Sequence, residues 1–345
     1  MCIRDRVYAL TLTPSQGLRF ATKYELELTG GIVDVDEGNG LVPDPTTIDF
    51  ATFSPGGLGK AEANNAIALA VLGGRAFVVL NTYPAVVRTF DISDPSNPAN
   101  EGDTPVFGIF PHIAAEASAN IGSGPTDLVA TLTTNSFSGQ GTLIVLEVGE
   151  EAPPFPWVAA VTTNQGTEGY AAALDLYDGF AYVATGPSGL KVVDLTVAAD
   201  LYRSATPLEV SQALNTKGQG FGQSGIVHTV PIEYEGATLT ATAVTAKDTA
   251  AGRVAFVGAR SLQAGSSTGH ITSVSHSGGY VLQTLPLPIG WIYGIGLTRV
   301  DARELAVIVG SAIGDGGILA VVDVTNPSVM TLLSLSELEG LSLIH

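Results

Sequence analysis

Side chains able to do chemistry are few in this chain, and they are scattered. His112, His228, His270, His276 and His345 form no His-x-x-x-His or Glu-x-x-His pair, and the single cysteine, Cys2, stands at the extreme N-terminus. A zinc site draws three or more such ligands together, so the histidines read as isolated residues on strands or loops. Serine, histidine and aspartate all occur. No Gly-x-Ser-x-Gly elbow, however, sets a serine on a strand-to-helix turn, and Gly122-Ser123-Gly124-Pro125 lacks that setting. Neither that stretch nor Gly218-Gln219-Gly220-Phe221-Gly222 has the Lys-Ser/Thr of a phosphate loop, so both read as plain loops. Asp34-x-Asp36-x-Gly38-Asn39-Gly40 has the opening spacing of an oxygen-rich calcium loop. Gly38 at its fifth position and Pro45 at its twelfth make it a glycine-rich turn, with calcium on Asp34 and Asp36 as the alternative. The residues therefore predict no catalytic centre and no resident cofactor.

The elements that would position any site are short strands. Hydrophobic residues make up 45% of the 345 and charged ones 14%, which sets the chain apart from disordered sequences. Its 41 glycines and 19 prolines, without a collagen period, suit many strands joined by tight turns. A cluster at 54–62, Ser54-Pro55-Gly56-Gly57-Leu58-Gly59-Lys60-Ala61-Glu62, reads as a linker. Before it, Thr22 to Leu28 alternates as a half-buried strand and Ile48 to Phe53 is a second.

After the linker a two-part phrase recurs. A turn leads into an apolar strand at Gly74-Arg75-Ala76-Phe77-Val78-Val79, Asp178-Gly179-Phe180-Ala181-Tyr182-Val183-Ala184, Gly252-Arg253-Val254-Ala255-Phe256-Val257 and Arg303-Glu304-Leu305-Ala306-Val307-Ile308-Val309. A second apolar strand follows and ends on an acid or a substitute: Asp91, Glu147, Asp194, Ser275 and Asp323. The steps between these are 56, 47, 81 and 48 residues, the long one assigned to an insertion-bearing repeat around 224–288. Repeats of this length holding several short strands predict an all-β, incomplete propeller of about five blades over residues 63–340. One small sheet cannot bury both faces alone, whereas stacked blades bury them against each other.

In a propeller the loops feeding the innermost strands surround the axis. The spacing sets those strand starts near Asn65, Asp127, Tyr170, His228 and Tyr293, with Glu168 and Trp291 beside them. That mixture of acid, amide, imidazole and aromatic side chains could hold a sugar or a peptide; an ordinary solvated rim is the bland reading.

Two resemblances add to this. Thr89-Phe90-Asp91-Ile92-Ser93-Asp94-Pro95-Ser96-Asn97-Pro98, Gly179 through Thr196, and Val322-Asp323-Val324-Thr325-Asn326-Pro327 are similar to the LVIVD-repeat propellers of bacterial surface proteins. The recurring aspartate is expected to cap a turn rather than bind a ligand. Residues 7–53 resemble the closing half of a bacterial Ig-like domain, through Leu12-Thr13-Pro14-Ser15, Ala21 to Leu28, Asp34 to Asn39 and Ile48 to Phe53. The turn at Asp34 to Asn39 is one residue longer than that family's usual Asp-x-x-Gly-Asn. The ends have another explanation. Met1-Cys2-Ile3-Arg4-Asp5 and Leu341-Ser342-Leu343-Ile344-His345 back-translate to reverse-complementary DNA that resembles a sequencing-library transposon adaptor. Residues 1–6 and 341–345 are thus expected to be adaptor read-through.

Function follows only in outline. With 15 basic and 33 acidic residues, the net charge of −18 argues against nucleic acid or an anionic membrane surface as partner. The best apolar run, Ala66 to Leu80, is broken by Gly73-Gly74-Arg75 and falls short of the ~18–20 residues a spanning helix needs. The resemblance implies an extracellular or cell-surface interaction module of a larger bacterial protein, serving adhesion, matrix attachment or display. Its expected partners are neighbouring domains and a carbohydrate or protein ligand. The alternative is a propeller enzyme, such as a lactonase, a glycosidase or a metal- or quinone-dependent oxidoreductase, with its site at the funnel mouth.

Overall fold

A computed structural model describes residues 23–28, 46–51, 61–82, 85–106, 109–122, 124–134, 141–164, 171–205, 222–223, 225–261, 268–311 and 316–338. The chain divides into two compact units, Met1–Ala61 with Ser93–Pro98, and Glu62–Ile92 with Ala99–His345. Of the first, two antiparallel strands are described, β1 (Lys23–Leu28) and β2 (Thr46–Ala51). Asp34, Asp36, the two termini and most of the Ig-like stretch lie outside the described residues.

The second unit holds five four-stranded antiparallel sheets among the described residues, each a meander whose spatial order follows the chain. Blade 1 is β3 (Ala66–Leu72), β4 (Arg75–Leu80), β5 (Val86–Asp91) and β6 (Ala99–Pro105). Blade 2 is β7 (Ile109–Asn120), β8 (Pro125–Thr134), β9 (Gly141–Glu147) and β10 (Trp157–Asn164). Blade 3 is β11 (Ala173–Tyr177), β12 (Phe180–Ala184), β13 (Leu190–Asp194) and, after helix α1 (Leu195–Ser204), β14 (Ile226–Val230). A small hairpin, β15 (Glu233–Tyr234) with β16 (Ala237–Thr238), precedes blade 4: β17 (Thr240–Thr249), β18 (Gly252–Arg260), β19 (Gly269–Ser275) and β20 (Tyr280–Leu287). Blade 5 is β21 (Trp291–Val300), β22 (Arg303–Ser311), β23 (Gly317–Asp323) and β24 (Thr331–Leu338). The first strands pack on one another in succession, β3 on β7, β7 on β11, β11 on β17 and β17 on β21. That is the inner-strand stacking of a β-propeller.

The recurring phrase turns out to be the second and third strands. Just beyond the third strand, the same backbone bond recurs in every blade: Ile92 N–H to Gly74 O, Val148 to Asp127, Leu195 to Gly179, His276 to Arg253 and Val324 to Glu304, at 2.7–3.0 Å. Strand alternation then fixes which neighbour each position meets. The residue just before the phrase-ending acid faces the preceding blade: Leu146 in the core between blades 1 and 2, Val193 between 2 and 3, Val274 between 3 and 4, Val322 between 4 and 5. In the second strand Phe77, Tyr182 and Phe256 face the following blade, each fully buried. Five blades thus enclose four apolar cores.

The long spacing has a different origin from the one expected. Blade 4 is of ordinary length, and the extra residues lie between β13 and β14 of blade 3, with the small hairpin adding a few more. Where blades 1 and 5 run into proline after the acid (Pro95, Pro327), blade 3 continues with Leu195-Thr196-Val197-Ala198-Ala199. Proline stops a helix and alanine favours one. Asp194 accepts from the backbone N–H groups of Thr196 (2.9 Å) and Val197 (3.2 Å), so the turn cap becomes a helix N-cap. Leu195, Ala198 and Ala199 then join the core between blades 2 and 3.

Candidate binding surface

Antiparallel pairing brings the starts of the first strands and the ends of the second to one end of the sheets, here the upper end: Ala66 pairs with Leu80, Thr240 with Arg260 and Trp291 with Ser311. At this end Trp291 and Tyr293, both half-buried, stack with ring centroids 6.0 Å apart and planes 19° from parallel. The guanidinium of Arg260, from the last position of β18, covers the Trp291 ring at 3.3 Å. Alternation makes this possible. Val254, Phe256 and Arg260 lie on the face of β18 turned toward blade 5, so Arg260 meets the first residue of β21. The product is an aromatic-guanidinium shelf in which the guanidinium lies on one ring and the second ring stacks beside it.

Of the other expected rim residues that are described, only one lies at this end. Asn65 sits at the upper end, its φ of 64° in the left-handed region and its carbonyl accepting from Asn81 N–H at 2.9 Å. Asp127 belongs to β8, a second strand, at the lower end, where its carboxylate accepts from Ser118 N–H at 2.9 Å. His228 belongs to β14, the outermost strand of blade 3, and its ring stands edge-on to His276 with centroids 6.3 Å apart. The repeat spacing places both at the starts of innermost strands, and the structure does not. An outer or second strand has the same short apolar run, and spacing alone does not rank strands by distance from the axis. Glu168 and Tyr170 lie outside the described residues. Arg260 was not singled out because its repeat is degenerate.

The lower end is built from seam-closing bonds. Arg75 donates to Gly149 O (2.5 Å) and Glu150 O (3.1 Å), pairs with Glu101 (2.9 Å) and lies over Phe155, bordering a cavity of about 660 Å³ between blades 1 and 2. Arg253 ties Asp178 of blade 3 to Asp248 of blade 4 and lies over the rings of Tyr177 and Phe180. Lys247 reaches Glu304 of blade 5. Tyr182 Oη meets His276 Nδ1 at 2.9 Å, and burial raises the phenol above its ordinary range. Burial also lowers the imidazoles of His112, His270 and His276, the last assisted by the nearby Arg253. Glu116, which accepts from Gly179 N–H, is raised by burial. Among the described residues no group of three or more His, Cys, Asp or Glu side chains is arranged to hold a metal. No helix among them is long and apolar enough to cross a membrane.

Meander, inner-strand stacking and interblade cores together define a β-propeller. The LVIVD repeat model matches residues 63–103, 168–196 and 312–335. The matched stretches fall in blades 1, 3 and 5, whose phrases end in Asp91, Asp194 and Asp323; the unmatched blades end theirs in Glu147 and Ser275. Among solved structures, the chain is similar to Kuenenia stuttgartiensis hydrazine synthase (TM-score 0.48, 11% identity, covering 81% of this chain and 69% of that one). It is also similar to the β-propeller domain of Myceliophteria thermophila Cps50 (Swd1) (0.47, 9%, 80% and 74%) and to Myxococcus xanthus glutaminyl cyclase (0.37, 12%, 78% and 92%). No curated protein matches the chain. Likenesses this remote carry no functional argument.

Proposed function

We propose that this chain is a non-catalytic interaction module of an extracellular bacterial surface protein, with residues 7–53 as part of an Ig-like spacer and the propeller as the presenting body. The observation that supports this reading is the Trp291–Tyr293–Arg260 shelf. A half-exposed aromatic face accepts the C–H face of a sugar ring or an extended peptide. The lower-end arginines support it from the other side, since their charges are engaged in holding blades together. Adhesion, attachment and display need a stable body and one recognising patch, and this arrangement supplies both.

The chain has two tryptophans, so Trp157→Phe leaves Trp291 as the sole indole reporter. Panels of oligosaccharides and of unstructured peptides, titrated against that variant, are expected to quench or shift Trp291 fluorescence saturably for one class. Trp291→Ala with Tyr293→Ala should abolish retention on that ligand while leaving the melting transition in place. Saturable binding that survives the double substitution, or turnover of a lactone or glycoside substrate by the unmodified chain, would overturn the proposal.

A further inference from the structure

The geometry points to a docking slot for a proline-rich peptide with basic flanks, built where blades 1, 2 and 3 meet at their outer strands. A cavity of about 470 Å³ opens there, within the size range of ligand pockets. Each wall comes from a different blade. β6, the outermost strand of blade 1, brings Thr104 and Pro105. The chain entering β10, the outermost strand of blade 2, brings Pro154, Phe155, Pro156 and Trp157. Helix α1 of blade 3 brings Tyr202. The Trp291–Tyr293–Arg260 shelf belongs to blades 4 and 5, so the slot is independent of it.

Local sequence explains why these walls hold their places. Proline fixes φ and offers no N–H to a ladder, so the run Ala152-Pro153-Pro154-Phe155-Pro156 stays out of the sheet until β10 begins at Trp157. Two contacts seat that run on blade 1. Phe155 N–H donates to Thr104 Oγ1 at 3.0 Å, and a Cβ built on Gly102 would lie 3.7 Å from the Pro153 ring. The Phe155 ring is buried, 6.1 Å from that of Phe77 in the core between blades 1 and 2. On the other side, Leu195, Ala198 and Ala199 anchor α1 in the core between blades 2 and 3. Tyr202 follows Ala198 by four residues and Ala199 by three, which sets it on the same face of the helix.

The lining selects the ligand. It is made of rings, with Trp157 and Tyr202 half-buried and the prolines beside them. Among the described residues it holds no carboxylate, carboxamide, imidazole or cationic side chain. A sugar would bring several hydroxyls to such a lining, and polar groups buried without partners cost binding energy. A prolyl ring has no donor to strand there. A polyproline segment is also extended before it binds, so little conformational freedom is lost, and aromatic-lined grooves hold such segments for this reason. Charge sets the flanks. Glu150 and Glu151 stand just ahead of the proline run, both exposed, with their carbonyls held by Arg75 at 3.1 and 3.4 Å. The arginines nearby are matched by other acids: Arg75 by Glu101, Arg88 by Asp103 and Arg203 by Asp200. The two glutamates are therefore in excess, and lysines or arginines beside the ligand's prolines meet complementary charge.

Trp157 reports on the slot directly, because Trp291→Phe leaves it as the sole indole of the chain. Titrating that variant with a short peptide of consecutive prolines between lysines is expected to shift Trp157 emission saturably. Alanines in place of the prolines should remove the response. Glutamates in place of the lysines should weaken binding several-fold, and added salt should narrow that difference. Tyr202→Ala, made in the same background, takes away one wall and should weaken binding by more than about tenfold. Should that variant fold poorly, Pro105→Arg, at an exposed position of the rim, sets a like charge against the lysine peptide and should weaken it while leaving the melting transition in place. Four results would overturn the inference: no saturable shift with the proline–lysine peptide, a response that survives the change to alanines, binding undiminished in the wall and rim variants, or a saturable shift of Trp157 emission with oligosaccharides instead.

Discussion

At the scale of single residues, the aspartate that closes the repeat phrase acts as a turn cap. Asp323 Oδ1 accepts from Thr325 N–H at 3.0 Å and Asp194 Oδ1 from Thr196 N–H at 2.9 Å, the same Asp-x-Thr bond in two blades. This role was legible in the sequence because local side-chain-to-backbone bonds need only a short stretch of chain. The Tyr182–His276 bond, joining residues 94 apart, was not, and neither was Arg260 over Trp291. Such pairings depend on which blade face a strand presents, a matter of sheet register rather than residue type. Histidine burial carries a measurable consequence. His270 is 2% exposed, and burial holds its imidazole below the ordinary value of 6.5. The unfolded chain therefore takes up the proton first as pH falls. This contribution to stability is complete above about pH 6.5 and is withdrawn as pH drops from there through the lowered folded value. Melting temperature should fall between about pH 7.5 and about pH 5.5, and fall less steeply in His270→Asn. His112 and His276 keep part of the slope in that variant, since both are lowered too. Equal slopes in parent and variant would remove His270 from the account.

At the scale of elements, glycine recurs where the third strand starts. The third strand begins with or just after glycine in blades 2 to 5: Gly141, Gly189, Gly269 and Gly317. Gly189 is the sharpest case, with φ +79° and a would-be Cβ only 2.2 Å from Val230 O. Gly189→Ala is expected to cost at least about 1 kcal/mol from the left-handed backbone alone, and more from that clash. Chemical denaturation reads the change; a loss within experimental error would mean that blade 3 can open locally without cost. Strand pairs were legible because period-2 alternation and flanking turns are local signals. The order of strands within a blade was less so. Asp127 and His228 start apolar runs that look like inner strands, yet belong to a second and an outermost strand. Helix α1 is not legible in the sequence because its only start signal, Asp194, is the residue that elsewhere closes a turn into proline.

For the whole molecule, the account comes down to five blades held by four cores between them among the described residues. The repeat spacing made the propeller and its blade count readable, because each phrase brings one sheet that cannot bury itself alone. Which blade each strand residue faces depends on sheet register, so the alternation of forward- and backward-facing residues is legible only in the structure. Native-state hydrogen exchange tests the five-blade arrangement most directly. Backbone amides of buried, doubly packed strands open only with large free energies, whereas those on an open face exchange early. Among the described innermost strands, β7, β11 and β17 each pack closely on two others, β3 and β21 on one. The arrangement predicts slow exchange in β11 and β17, with β3, carrying the exposed Leu69 and Val71, the fastest of the five. Uniform protection across all five inner strands would contradict it.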